Sequence, residues 1–322
     1  MLRFELNWGK PKKKVEEAIN DYLLHAESKG LSTGSIKHRK ADLNRLLEFL
    51  SGHGLEYVTD VEPHHLWAFM SGLYTTPKKV GKGKLSISYV GRIFKSAKAF
   101  FRWCYHMEII GRDLMLKVDP PPKDKKIKRP LEADEVKLLL KTAVDPQYYR
   151  ADPTRDRTII LVLVDTMLRV NELCNLRIEN LEPSDEGGKT TIAVKGGREY
   201  LVFFSPTSWE AIQELIEELS VEDGPLFIGR GGDGLTDGGI RRVVERIAKR
   251  AGIDKRVYPH KLGRRTGATL RSMRGATAQE LQQLGRWEKI DMLRRYVVYD
   301  EAVLGKLNAQ TSPLPELVDG LS

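Results

Sequence analysis

Cysteine is almost absent: Cys104 and Cys174 are the only two in 322 residues. Both lie in apolar helical stretches, too few for a disulfide framework and not spaced as a metal knuckle, so a reducing compartment is expected. Long apolar runs are lacking too. The longest, TIILVLV from Thr158 to Val164, falls far short of the roughly 20 residues that cross a bilayer. The opening MLRFELNWGKPKKK has no apolar core of signal-peptide length. These absences point to a cytoplasmic protein with no membrane partner. There is no internal repeat and no low-complexity segment. No cluster of carboxylates stands beside the basic segments described below, which argues against a metal-dependent nuclease.

What is present is ample apolar and charged material, 41% and 30% of the chain. That fits a soluble globular protein of about two domains, at roughly 150 residues each. Lys and Arg outnumber Asp and Glu by 53 to 44, a net charge of +9. Such an excess suits a polyanionic partner, because neutralising phosphates releases counterions. It suits a merely basic enzyme equally well.

From Val15 to Leu116 the apolar spacing is helical throughout. A first helix is expected near Val15–Ser28, with Ala18, Tyr22, Leu23 and Ala26 on one face, ending at Gly30. A second, near Ser35–Ser51, carries Leu43, Leu46, Leu47 and Leu50, with Lys37, His38, Arg39 and Lys40 crowded at its start. A shorter helix follows Pro63. A fourth, near Ser86–Met107, turns Tyr89, Ile93, Phe94, Ala97, Phe100 and Phe101 inward, with Arg92, Lys95, Lys98 and Arg102 between them. Four helices on short loops imply a bundle over 1–118. The stretch 119–130, DPPPKDKKIKRP, combines prolines with five Lys/Arg residues and reads as a linker, able to follow a phosphate backbone or simply to tether.

From Leu131 to Ser322 the pattern is mixed. LEADEVKLLLKTA opens a helix with an acidic first turn, and Arg155–Leu176 reads as one long buried helix. KTTIAVKGGREYLVFFSP gives two β-rich runs around Gly196-Gly197, a hairpin signal. Helices are expected at Ser208–Leu219, Gly239–Ala251, Gly263–Arg274, Ala278–Leu284 and Ile290–Tyr299.

Breaking a phosphodiester without a metal needs fixed cations on the nonbridging oxygens, a hydroxyl aimed in line and an acid for the leaving oxygen. Arginine suits the first task, being always charged and able to bind phosphate bidentately. Arginines in apolar or glycine-rich settings are therefore the informative ones. Arg169 follows the apolar run, with Glu172 three residues on to orient it; a structural ion pair at a helix end would look the same. Arg264, in HKLGRRTGATL, stands at a helix start that either binds phosphate or is only basic.

These segments, with one more, resemble the boxes of the tyrosine recombinase (phage integrase) family, including its Xer-type members. VDTMLRVNELCNLRIENL is similar to the first box, placing its arginine on Arg169 and its carboxylate on Glu172. KLGRRTGAT is similar to the second, placing the second arginine on Arg264. LGRWEKIDMLRRYVVY is similar to the third, with Trp287 standing 23 residues after Arg264 and Tyr296 nine after Trp287. The family's hairpin lysine falls on Lys195. The second box usually has His where this chain has Lys261, with His260 beside it; which of the two serves is open. The glycine that usually opens the first box is Met167, read as tolerated on a packed helix.

The resemblance, from Val15 to Leu304, implies a mainly α fold with a small antiparallel β-sheet: a helical, SAM-like core-binding domain and a mixed α/β catalytic domain. It implies a site-specific recombinase that cleaves and rejoins duplex DNA at core sites through a 3′-phosphotyrosine, with no metal or nucleotide cofactor. Tyr296 would attack, with Tyr299 a rival three residues on. Arg169 and Arg264 would hold the phosphate, Lys195 would protonate the leaving oxygen, Lys261 or His260 would take the phenol proton, and Trp287 would donate its indole N–H. Recombination would need a tetramer on two duplexes. With no arm-binding domain expected before Val15, a two-domain enzyme is implied. A type IB topoisomerase and a silent DNA-binding regulator of the same fold are the alternatives.

Overall fold

The computed structural model describes residues 12–78, 83–122, 129–148, 152–194, 197–295, 297, 304–305, 308–310 and 312–314. The chain divides into two compact units, Met1–Ile127 and Lys128–Ser322.

The first unit is a helical bundle of α1 (Val15–Ser28), α2 (Thr33–Gly52), α3 (Pro63–Thr75) and α4 (Ile87–His106). The core forms because the apolar residues recur at helical spacing: Val90, Ile93, Phe94, Ala97, Phe100, Phe101 and Cys104 are buried along α4. Ser86 caps α4 by accepting from the Tyr89 N–H at 3.2 Å. Tyr89, read as inward, is half-buried, and Val90 fills the core in its place. The α2 helix starts at Thr33, two residues before the expected Ser35.

The second unit holds α5 (Ala133–Ala143), α6 (Pro153–Thr166) and α7 (Val170–Cys174). Then come β1 (Leu181–Ser184), β2 (Gly187–Val194) and β3 (Arg198–Phe204), an antiparallel sheet in the order β1-β2-β3. Helices α8 (Pro206–Leu219), α9 (Asp237–Arg250), α10 (Ala268–Met273) and α11 (Ala278–Leu284) follow. The expected two-stranded hairpin gains a third strand, because Leu181–Ser184 pairs with Gly187–Thr190 across a tight turn. The mainly helical fold with a small antiparallel sheet is as the sequence implies.

Three expectations are corrected. Arg155–Leu176 is two helices, not one: Met167 sits at φ 54° and ends α6, and Arg169 occupies the N-cap of α7. The left-handed backbone costs a side-chain-bearing residue roughly 1–2 kcal/mol, so this is where a glycine would be at ease. Met167 is not on a helix at all; its side chain, wholly buried with Trp287 and Leu281, offsets the cost. Second, the helix expected from Gly263 opens as a π-helical turn, Lys261–Gly267, before α10. Third, Ile290–Arg295 is a 3-10 helix, and Tyr296 and 298–299 lie outside the described residues.

Two glycines let the π-helical turn approach α6 closely. A Cβ on Gly263 would stand 2.8 Å from the Leu163 carbonyl oxygen, and one on Gly267 2.4 Å from that of Val164. The π-helical turn thus lies backbone against backbone on the end of α6, four residues apart on one face. Gly267→Ala should lower stability by about 2 kcal/mol or more, since rigid backbone must move to admit the methyl group. Urea unfolding measures this, and wild-type stability in the variant would contradict the packing described.

Candidate active site

The turn between α6 and α7 fixes the first-box pair. As N-cap of α7, Arg169 donates its backbone N–H to Glu172 Oε2 at 2.8 Å and its Nη1 to Oε1 at 2.6 Å. Glu172 is buried whereas the Arg169 side chain is 45% exposed, so the carboxylate is the fixed member and the guanidinium faces outward. Burial alone would raise the Glu172 carboxyl. The two hydrogen bonds from Arg169 and the charges of Arg169 and Arg286 outweigh it and hold the group below its ordinary value.

Arg264 lies within the π-helical turn and is 1% exposed. Its guanidinium carbon is 5.1 Å from the Trp287 ring centroid, a cation–π contact joining the second and third boxes. Trp287 is buried with Met167, Ala268, Leu281 and Leu293. Lys261 is buried at the start of the same turn, and its amine is pulled below the usual lysine value, first by burial and then by the charge of Lys255. A nearby glutamate, Glu135, opposes this, while Arg265 adds to it. This amine therefore sheds its proton more readily than that of an exposed lysine. His260 is half-buried one residue earlier. Lys195, Tyr296 and Tyr299 lie outside the described residues.

Arg286 was not singled out from the sequence. It sits in the third box between Gly285 and Trp287, an arginine in the glycine-and-aromatic setting that marked the others. Its Nη2 donates to the Thr166 carbonyl at 3.0 Å and its Nη1 to the Leu284 carbonyl at 2.8 Å. Nη2 is also 3.8 Å from Glu172 Oε2. A chain of contacts therefore runs Arg169–Glu172–Arg286 and, through the next residue, Trp287–Arg264, uniting all three boxes. Arg169, Asn171, Glu172, Arg198, Tyr200 and Arg286 help to line a cleft of about 630 Å³. Among the described residues no group of three or more His, Cys, Asp or Glu is placed to hold a metal ion.

In the first unit, Lys37, His38, Lys40, Lys95, Lys98 and Arg102 are exposed. Arg92 is occupied within the unit: its Nη2 donates to the buried Asp42 at 2.8 Å, its Nη1 is 2.8 Å from His38 Nδ1, and its guanidinium covers the Tyr89 ring at 4.5 Å. Asp42 also accepts from Ser96 Oγ at 2.9 Å, so it ties α2 to α4. Arg39 donates to the Tyr22 hydroxyl and lies 5.6 Å over its ring. The sequence offers no sign of Asp42, His38 and Tyr22 as partners, because other helices contribute them.

The sequence profile of the phage integrase family matches residues 129–302. The chain belongs to that family, and so to the tyrosine site-specific recombinases, enzymes of DNA recombination. It is similar to the tyrosine recombinase XerD of Listeria innocua serovar 6a, 26% identical over 279 residues, which span 84% of this chain and 90% of that protein. XerD of Staphylococcus aureus strain Mu50 is 24% identical over 306 residues, 93% of this chain and 99% of the relative. The fold is shared with XerH site-specific recombinase in a pre-cleavage complex with difH substrate, at a TM-score of 0.66 and 19% identity over 93% of this chain and 85% of that one. It is shared also with a lambda integrase tetramer bound to a Holliday junction, at a TM-score of 0.72 and 16% identity over 90% and 78%.

Folding lowers the proton affinity of Glu172, so the stability it supplies is fully present above its ordinary value of 4.5 and is lost as the pH falls below that toward the lowered folded value. Glu172→Gln should be less stable than the parent near neutrality and lose less stability on acidification from about pH 6 to pH 3. Denaturant titrations across that range measure the difference; parallel pH curves would contradict the pairing.

Proposed function

We propose that the protein cleaves and rejoins duplex DNA at specific core sites through a 3′-phosphotyrosine at Tyr296. The observation that carries this reading is the contact chain linking Arg169, Glu172, Arg286, Trp287 and Arg264, which gathers the three boxes in one unit.

Arg169 and Arg264 hold the nonbridging oxygens of the scissile phosphate and stabilise the charge that builds on them in the pentavalent transition state. The Tyr296 hydroxyl attacks phosphorus, and the bond to the 5′ oxygen breaks. The phenol proton, from a group with an ordinary pKa near 10, passes to Lys261 or His260. Burial draws the Lys261 amine below the usual lysine value, so a larger share of it is neutral and able to accept than in an exposed lysine. Lys195 protonates the leaving 5′ oxygen. Trp287 packs over Arg264 and offers its indole N–H to the phosphate. A second 5′-hydroxyl then reverses the attack, so the bond energy is kept in the phosphotyrosine and neither ATP nor a metal is consumed.

In the first unit, exposed Lys37, Lys40, Lys95 and Lys98 carry the phosphate grip, with His38 and Arg102 beside them. Arg39 and Arg92 act from the second rank, through the side chains they hold. The basic composition of 119–130 suits further contacts to phosphates. Related recombinases crystallised on DNA, one of them as a tetramer on a Holliday junction, support a tetrameric assembly on two duplexes. No described helix is long and apolar enough to cross a membrane, in keeping with a cytoplasmic site of action.

Covalent trapping on nicked duplexes drawn from a randomised pool tests the reading. Wild type and Tyr299→Phe should give an SDS-resistant protein–DNA adduct, and Tyr296→Phe none. Loss in Tyr299→Phe alone would move the nucleophile. No adduct from any of the three, on DNA the protein binds, would contradict the recombinase chemistry and leave a silent binder.

A further inference from the structure

Arg286 stands where an arginine is costly twice over. Its backbone is left-handed, at φ 54°, the region that glycine occupies without strain. Its side chain is only 3% exposed, so the guanidinium has lost most of its water. Burial accordingly pulls it below the usual arginine value, though an arginine remains charged at any working pH. Two carbonyl bonds, to Thr166 and Leu284, repay part of this cost. Carbonyls can be capped by neutral donors, however, and neither bond calls for a buried charge.

Its charge is matched instead to Glu172, 3.8 Å away. The three side chains carry two positive charges and one negative, arranged by depth. Glu172 and Arg286 are buried at 8% and 3% exposure, while Arg169 is 45% exposed on the cleft. Were Arg286 neutral, Arg169 and Glu172 would form a pair of zero net charge. An incoming phosphate would then meet a buried carboxylate immediately behind the guanidinium it seeks.

We propose that Arg286 is a positioning residue for the first-box arginine: by neutralising Glu172 from behind, it lets the carboxylate orient Arg169 while leaving the charge of Arg169 for the scissile phosphate. This rests on the phosphate-binding role of Arg169 proposed above. Arg286 itself touches no DNA in this arrangement. It acts through Glu172, and its side chain binds the third box to the first.

The test is single-turnover cleavage by the full-length protein on a duplex recovered from the trapping experiment. Each protein is assayed on two forms of that duplex, one native and one with a methylphosphonate at the scissile position, where a methyl group replaces a nonbridging oxygen and removes the negative charge. The ratio of the two rates in one protein cancels any loss of folded enzyme. Arg286→Met should lower the native-to-methylphosphonate ratio about tenfold, because it slows the charged substrate selectively. Arg286→Lys, which keeps the charge without the forked carbonyl bonds, should hold the ratio within about threefold of wild type. Equal slowing of both duplexes by Arg286→Met, or equal loss of the ratio in the Lys and Met variants, would overturn the inference and leave Arg286 a structural clip. Failure of the wild type to cleave the native duplex would overturn the proposed function, and the inference with it.

Discussion

One buried carboxylate holds the arrangement together. Glu172 accepts two hydrogen bonds from Arg169 and lies against Arg286. A carboxylate at that depth is tolerated only with its charge matched, and removal of one partner of such a group typically costs about 3–5 kcal/mol. The first and third boxes are therefore fastened to each other by an electrostatic requirement. The second box reaches the same place by a different force, the stacking of Arg264 on Trp287.

The end of α6 is the platform on which this is built. Its last two carbonyls, those of Asp165 and Thr166, accept from Arg271 and Arg286 respectively, cations suited to the negative end of a helix. The carboxylate of Asp165 also accepts from the Ser205 N–H, bringing the start of α8 to the same point. On the other side, Gly263 and Gly267 let the π-helical turn press on the backbone of Leu163 and Val164. Met167 then turns the chain sharply so that Arg169 emerges beside the cleft. A continuous helix through this region would have carried Arg169 onward along the helix axis, away from the N-cap position that gives it both bonds to Glu172.

The mainly helical architecture, the small antiparallel sheet and the helices of the first unit were legible because they rest on local periodicity, as the run Ile93, Phe94, Ala97, Phe100, Phe101 shows. The Arg169–Glu172 pair was legible for the same reason, being three residues apart. What stayed hidden depends on positive φ or on distant partners. The stretch from Thr158 to Leu168 gives no local sign of a stop, since Met167 carries none of the conformational freedom of glycine. Arg92 looked like a phosphate ligand because Asp42 lies 50 residues away in sequence. Arg286 was overlooked because two of its three partners, Thr166 and Glu172, belong to another box, 120 residues distant in the case of Thr166.

If Glu172 serves the chemistry by holding Arg169, its effect must vanish when Arg169 is gone. The most direct measurement is a double-mutant cycle on single-turnover cleavage, with Glu172→Gln, Arg169→Ala and the two combined. The account predicts that Glu172→Gln slows the parent by about tenfold or more and the Arg169→Ala enzyme hardly at all, a coupling of at least about 1.4 kcal/mol. Equal slowing in both backgrounds would show the two residues acting independently, and would contradict the account.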